Sequence, residues 1–110
     1  MPKTPRMEQI EAMLVEDPDD AFLRYGLAME HASAGDDASC VAVLRDLIQR
    51  GETSPYIPAY LQAGQALVRE DRIGEACEVL KAGIAAAERV GTADAMHARG
   101  EMQGLLGSIE

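Results

Sequence analysis

Apolar residues recur at spacings of three and four through six stretches of helical length, and short polar breaks separate the stretches. The breaks fall at Asp17-Pro18, at Gly35-Asp36-Asp37, from Gly51 through Pro55, at Asp71 and at Gly91-Thr92. In the first stretch Thr4 stands as N-cap with Pro5 at the first helical position, and Met7, Ile10, Met13 and Leu14 form one stripe before Pro18 stops the helix. The second is capped by Asp19 or Asp20 and carries Phe22, Tyr25, Gly26 and Met29. The third is capped by Asp36 or Asp37, shows Cys40, Val43, Leu44, Leu47 and Ile48, and stops at Gly51. Ser54-Pro55 repeats the cap-then-proline arrangement and opens a fourth with Tyr60, Ala63, Gly64 and Leu67. A fifth follows Asp71 with Ala76, Leu80, Gly83, Ile84 and Ala87. The sixth runs from about Thr92 with Met96, Gly100, Leu105, Leu106 and Ile109. No stretch alternates with period two over strand length, so the pattern predicts an all-α chain without a sheet.

The stretches resemble one another. Phe22-x-x-Tyr25-Gly26-x-x-Met29 matches Tyr60-x-x-Ala63-Gly64-x-x-Leu67, with the glycines 38 residues apart. Cys40-x-x-Val43-Leu44 matches Ala76-x-x-Val79-Leu80 at a separation of 36, and the mismatch of two implies a longer first helix in the first unit. In this pattern the chain resembles the tetratricopeptide repeat family, whose helix A carries an aromatic, a large apolar residue, Gly and Tyr, and whose helix B carries Ala and Phe. The resemblance implies a helical-hairpin array in one domain, 1–110: a leading helix over 1–17, a first hairpin over 19–51, a second over 55–91 and a C-terminal capping helix over 92–110. Met96-x-x-Arg99-Gly100-x-x-Gln103 reads as a degenerate third helix A whose polar positions suit an array end. Gly26 and Gly64 are expected to let helix B approach helix A, with small Cys40 and Ala76 opposite and Phe22 and Tyr60 filling the gaps between hairpins.

In such arrays the helix A faces line a concave surface, which makes that face the candidate partner site. The expected groove residues are Leu23, Arg24, Leu27 and His31 on the second helix, and Leu61, Gln62, Gln65, Val68 and Arg69 on the fourth. The implied function is a non-enzymatic module that holds a peptide or a partner helix, with Arg24 and Arg69 setting orientation. Cover by the last helix would equally explain exposed leucines, and so would a homodimer. A structural self-assembling unit is the alternative reading, pairing chains through Met7, Ile10, Met102, Leu105 and Ile109. The clamp-type Lys and Asn that bind chaperone tails in some members are absent, since Leu23, Leu27 and Gln62 stand there.

Charge narrows the partners. Nineteen acidic against ten basic residues give a formal net charge of -9 in 110 residues. Such a surface repels nucleic acid and anionic membranes and favours basic partners, although solubility alone also explains it. The start, Met1-Pro2-Lys3-Thr4-Pro5-Arg6, has no apolar signal-peptide core, and no stretch approaches the roughly 18 apolar residues of a membrane span. A cytoplasmic protein is expected.

No catalytic constellation emerges. His31 and His97 have no partner at metal-ligand spacing, and Cys40 and Cys77 form neither a metal nor a redox motif. They read as buried, inert thiols. Asp17-x-Asp19-Asp20 fails as a calcium loop because Ala21 and Phe22 stand where an oxygen ligand and a glycine are needed. Neither cofactor nor metal is expected.

Overall fold

A computed structural model describes residues 3–51 and 53–110. Met1, Pro2 and Glu52, which fall in the expected leading segment and in the break before the fourth helix, lie outside the described residues. Among the described residues six helices follow in order: α1 (Pro5–Glu16), α2 (Ala21–Ser33), α3 (Asp37–Arg50), α4 (Ile57–Arg69), α5 (Ile73–Val90) and α6 (Ala93–Ile109). Among the described residues there is no strand.

Local chemistry explains most helix ends. Thr4, Asp20, Asp36 and Thr92 each accept a hydrogen bond from the backbone N–H three residues on, satisfying a donor that the first turn leaves orphaned. Gly91 ends α5 at φ +70°, a left-handed cap that only glycine adopts without steric cost. The fourth helix departs from expectation. Ser54-Pro55 does not open it. Tyr56 is the cap and makes no side-chain cap hydrogen bond, so the proline in the first turn is Pro58. The reason is tertiary: only a start at Ile57 keeps α4 in step with the rest of the array.

That step is 36 residues throughout. Helices α2, α4 and α6 begin at 21, 57 and 93, and α3 and α5 begin at 37 and 73. The two hairpin turns are copies at the same interval. Gly35 and Asp71 are both left-handed, at φ +79° and +59°. Gly35 N–H donates to Ala32 O and Asp36 N–H to His31 O. Asp71 N–H donates to Val68 O and Arg72 N–H to Leu67 O. Both are Schellman closures.

The uniform step corrects the glycine alignment at 38. α2 and α4 are both 13 residues long, so the first unit has no longer helix. The residue equivalent to Gly64 is Ala28, which is fully buried, and not Gly26. Gly64 lies beneath Leu80, where an added Cβ would stand 2.5 Å from Cδ2 and 2.8 Å from Cγ. At Gly26 the nearest atom is Ile10 Cδ1 on α1, at an ordinary 3.8 Å. Tyr60 is buried, with its Cβ against Gly83 of α5 in its own hairpin, whereas Phe22 is 72% exposed. A slip of two residues rotates a helix by about 200°, enough to send an intended core residue to solvent.

Two layers result. α3 packs between α2 and α4, and α5 between α4 and α6, while α1 covers α2 and α4 touches α6 directly. The core runs from Ala28, Cys40 and Leu44 through Leu67 and Leu80 to Met102. Gly83 on α5 admits two neighbours at once. A Cβ there would lie 2.5 Å from Tyr60 Cβ and 2.5 Å from Met102 Sδ. Met7, Ile10 and Met102 are interior, so of the five apolar residues considered for chain pairing only Leu105 and Ile109 keep partial exposure.

Candidate functional site

The first helix of each unit lends one face to a shared surface. With α2, α4 and α6 in register, equivalent positions are Tyr25, Leu61 and His97, then Met29, Gln65 and Glu101, then Ala32, Val68 and Gly104, all but the buried Leu61 being half-buried or exposed. Tyr25, Met29, Ala32, Val68, Ala98 and Leu105 are half-buried apolar residues seated on the core with one side open. Gln62 and Gln65 stand among them, also half-buried. Medium-sized apolar groups interleaved with amides make a surface that can bury a partner's side chains and hydrogen-bond its backbone.

An aromatic pair joins α2 to α4. The Tyr25 and Tyr56 rings lie 5.3 Å apart at 45°, within the range of favourable tilted contacts. Burial raises the Tyr25 phenol above its ordinary value, the neighbouring Tyr56 adds to that, and a hydrogen bond with Gln62 opposes it. Tyr56 also lines a hollow of about 310 Å³ with Pro55, Ile57, Pro58, Val90, Thr92, Asp94, Ala95 and Ala98. This hollow lies between the starting ends of α4 and α6.

The expected groove residues do not form one surface. On α4, Leu61 is buried at 9% exposure, while Gln62, Gln65, Val68 and Arg69 reach the shared face or its edge. The Arg69 guanidinium is committed to Asp37 on α3, with Nη2 2.8 Å and Nε 3.0 Å from Oδ1. The α2 residues lie elsewhere. Leu27 borders a depression with Glu11, Leu14 and Val15 of α1. Leu23 is half-buried and outside the core cluster. Arg24 donates from Nε to Pro18 O at 2.7 Å and from Nη1 to Asp46 Oδ2 at 3.0 Å, pinning the α1–α2 turn to α3. His31 sits 4.0 Å from Asp36 at the hairpin turn. A 38-residue step pairs Leu23, Arg24, Leu27 and His31 with Leu61, Gln62, Gln65 and Arg69, whereas the helices repeat at 36. The 36-residue spacing of the Cys40 and Ala76 segments was the signal that would have led to Tyr25, Met29 and Ala32.

The last helix does not cover this face. α6 packs on α5 and α4 and makes no comparable contact with α2. Cys40 is fully buried, and burial pushes its thiol up to about 11, so it is protonated at neutral pH. Cys77 is half-buried. Among the described residues no group of three or more His, Cys, Asp or Glu side chains could hold a metal ion, and no helix is long and apolar enough to cross a membrane.

No family model matches the sequence, and no curated protein matches it. Solved structures do. The chain is similar to the solution NMR structure of a tetratricopeptide repeat domain protein from Salinibacter ruber, at 31% identity with a TM-score of 0.71, over 84% of this chain and 89% of that one. A crystal structure of the same domain matches at 31% identity with a TM-score of 0.66, over 79% of this chain and 92% of that one.

Proposed function

The chain belongs to the tetratricopeptide repeat family, and from that premise we propose that it is a non-enzymatic interaction module that holds a peptide or partner helix on the shared face of α2, α4 and α6. Repeat arrays of this type bind other proteins through extended surfaces made by equivalent helices. The observation that carries the reading is the register. A strict 36-residue step puts half-buried Tyr25, Met29 and Ala32 at positions equivalent to Leu61, Gln65 and Val68, and Tyr25 reaches Gln62 across the two helices. Of the expected groove residues, Gln62, Gln65 and Val68 make the contact, Tyr25 and Met29 replace the α2 set, and Arg69 stays at the edge with Asp37. Affinity would come from burying apolar side chains, with the two glutamines supplying directional hydrogen bonds.

The test compares capture from the native host by the parent and by a Met29→Glu, Val68→Glu variant, read by mass spectrometry. Both sites are partly open, and the variant's circular dichroism must match the parent's. Proteins bound by the parent and lost from the variant support the reading. A partner retained equally by both would remove this face as the site.

A further inference from the structure

The large apolar side chains most open to water are not scattered. Val15 is 82% exposed, Phe22 72%, Met13 49% and Val90 40%. They occupy the last turn of α1, the first turn of α2 and the last turn of α5. Successive helices run antiparallel, as the Gly64–Leu80 and Tyr60–Gly83 approaches require of α4 and α5. These turns therefore share one end of the molecule with the starts of α4 and α6. Tyr56 links them. It packs at a tilt against Tyr25, one turn along α2 from Phe22, and lines the hollow that holds Pro55, Pro58 and Val90. Aromatic and proline side chains thus recur across the helix starts as an interrupted strip, with Asp19, Arg24 and Arg50 lining a separate hollow beside Tyr56.

Carboxylates border this strip. Glu16, Asp17 and Asp20 lie in and beside the α1–α2 turn, and Asp94 lines the hollow. Among the described residues none of the four is in an ion pair. Asp20 caps α2 and is near enough to Tyr56 to raise its phenol, second to the effect of burial. The neighbouring cations Arg24 and Arg50 are held by Asp46 and Asp19, and Arg89 borders Pro55 and Val90 at the rim of the hollow.

We propose that this strip is a second docking surface, and that its occupant is a cationic segment of another protein that places an apolar side chain in the hollow beside Pro58 and Lys or Arg opposite Asp20 and Asp94. Charge selects among occupants. A second copy of this chain, at formal charge -9, is repelled, and so are an anionic bilayer and a nucleic acid. A basic segment gains long-range attraction on approach and buries exposed aromatic surface on contact. The inference rests on the family reading but not on the middle of the α2–α4–α6 face, because the strip lies at the helix starts.

The experiment titrates the ¹⁵N-labelled full chain with two synthetic peptides on a Ser/Gly background, one carrying leucines and lysines, the other carrying glutamate at each lysine position. The lysine peptide is expected to shift the amides of Phe22, Tyr56, Val90 and Asp94, with affinity falling as salt is raised, and the glutamate peptide is expected to shift none. Phe22→Ser should weaken binding about fivefold or more, as loss of an aromatic anchor does. Asp94→Asn should weaken it and flatten the salt dependence. Each variant's own spectrum reports whether it is folded. Equal shifts with both peptides, or no shift with the lysine peptide, overturn the proposal. Shifts confined to Met29, Gln62, Gln65 and Val68 also overturn it while leaving the shared face standing.

Discussion

Gly26 and Gly64 sit in similar local sequence, yet alanine at the two positions should differ in effect by roughly 1–3 kcal/mol. Each substitution removes a glycine from a helix interior, which by itself stabilises by about 1 kcal/mol. That gain is common to both and cancels when the variants are compared with each other. The remainder is packing. At Gly26 the new methyl meets only Ile10 Cδ1 at 3.8 Å, an ordinary contact. At Gly64 it would lie 2.5 Å from Leu80 Cδ2 and 2.8 Å from Cγ. Leu80 is fully buried, so its side chain can move only if the core around it gives. Overpacking of this kind costs roughly 1–3 kcal/mol. Gly26→Ala should thus raise stability, and Gly64→Ala should fall below it by that difference. The assay is urea unfolding followed by circular dichroism, with thermal melts alongside, where 1 kcal/mol corresponds to roughly 4 °C or more in a chain of this size. If the two variants shift together, by the same amount and in the same direction, the 36-residue register and everything placed by it are wrong.

Gly83→Ala should be more damaging than Gly64→Ala, because one of its clashes is with Tyr60 Cβ, which moves only with the α4 backbone; native-state hydrogen exchange should show α6 loosened first. Alanine at Gly104, where nothing lies within 4 Å, should instead stabilise by up to about 1 kcal/mol in the same urea assay. Cys40 supplies a pH test. Its folded thiol titrates at about 11 against an ordinary 9.0, so the unfolded chain binds fewer protons between those values. The contribution is full below pH 9 and is lost as pH rises towards 11, and Cys40→Ala should reduce that alkaline loss in urea titrations at stepped pH. With a thiol reagent at pH 8, Cys40 should label only on unfolding.

Sequence alone determined what local physics controls. Helical periodicity, Asx and Thr caps, and glycine or proline stops act within a few residues, so six helices without a strand among the described residues were legible. The separation of the Cys40 and Ala76 segments also carried the true repeat step. What the sequence left open was rotation. Gly26 and Gly64 looked like copies because their neighbours match, but whether a glycine faces a covering helix depends on which helix arrives there. Only the folded array buried Ala28, sent Phe22 to solvent and paired Arg24 with Asp46. The start of α4 was decided the same way, with interior packing overriding the local Ser54-Pro55 signal. Each surface proposed for binding therefore follows from tertiary register, because a shift of two residues along a helix exchanges its buried face for its open one.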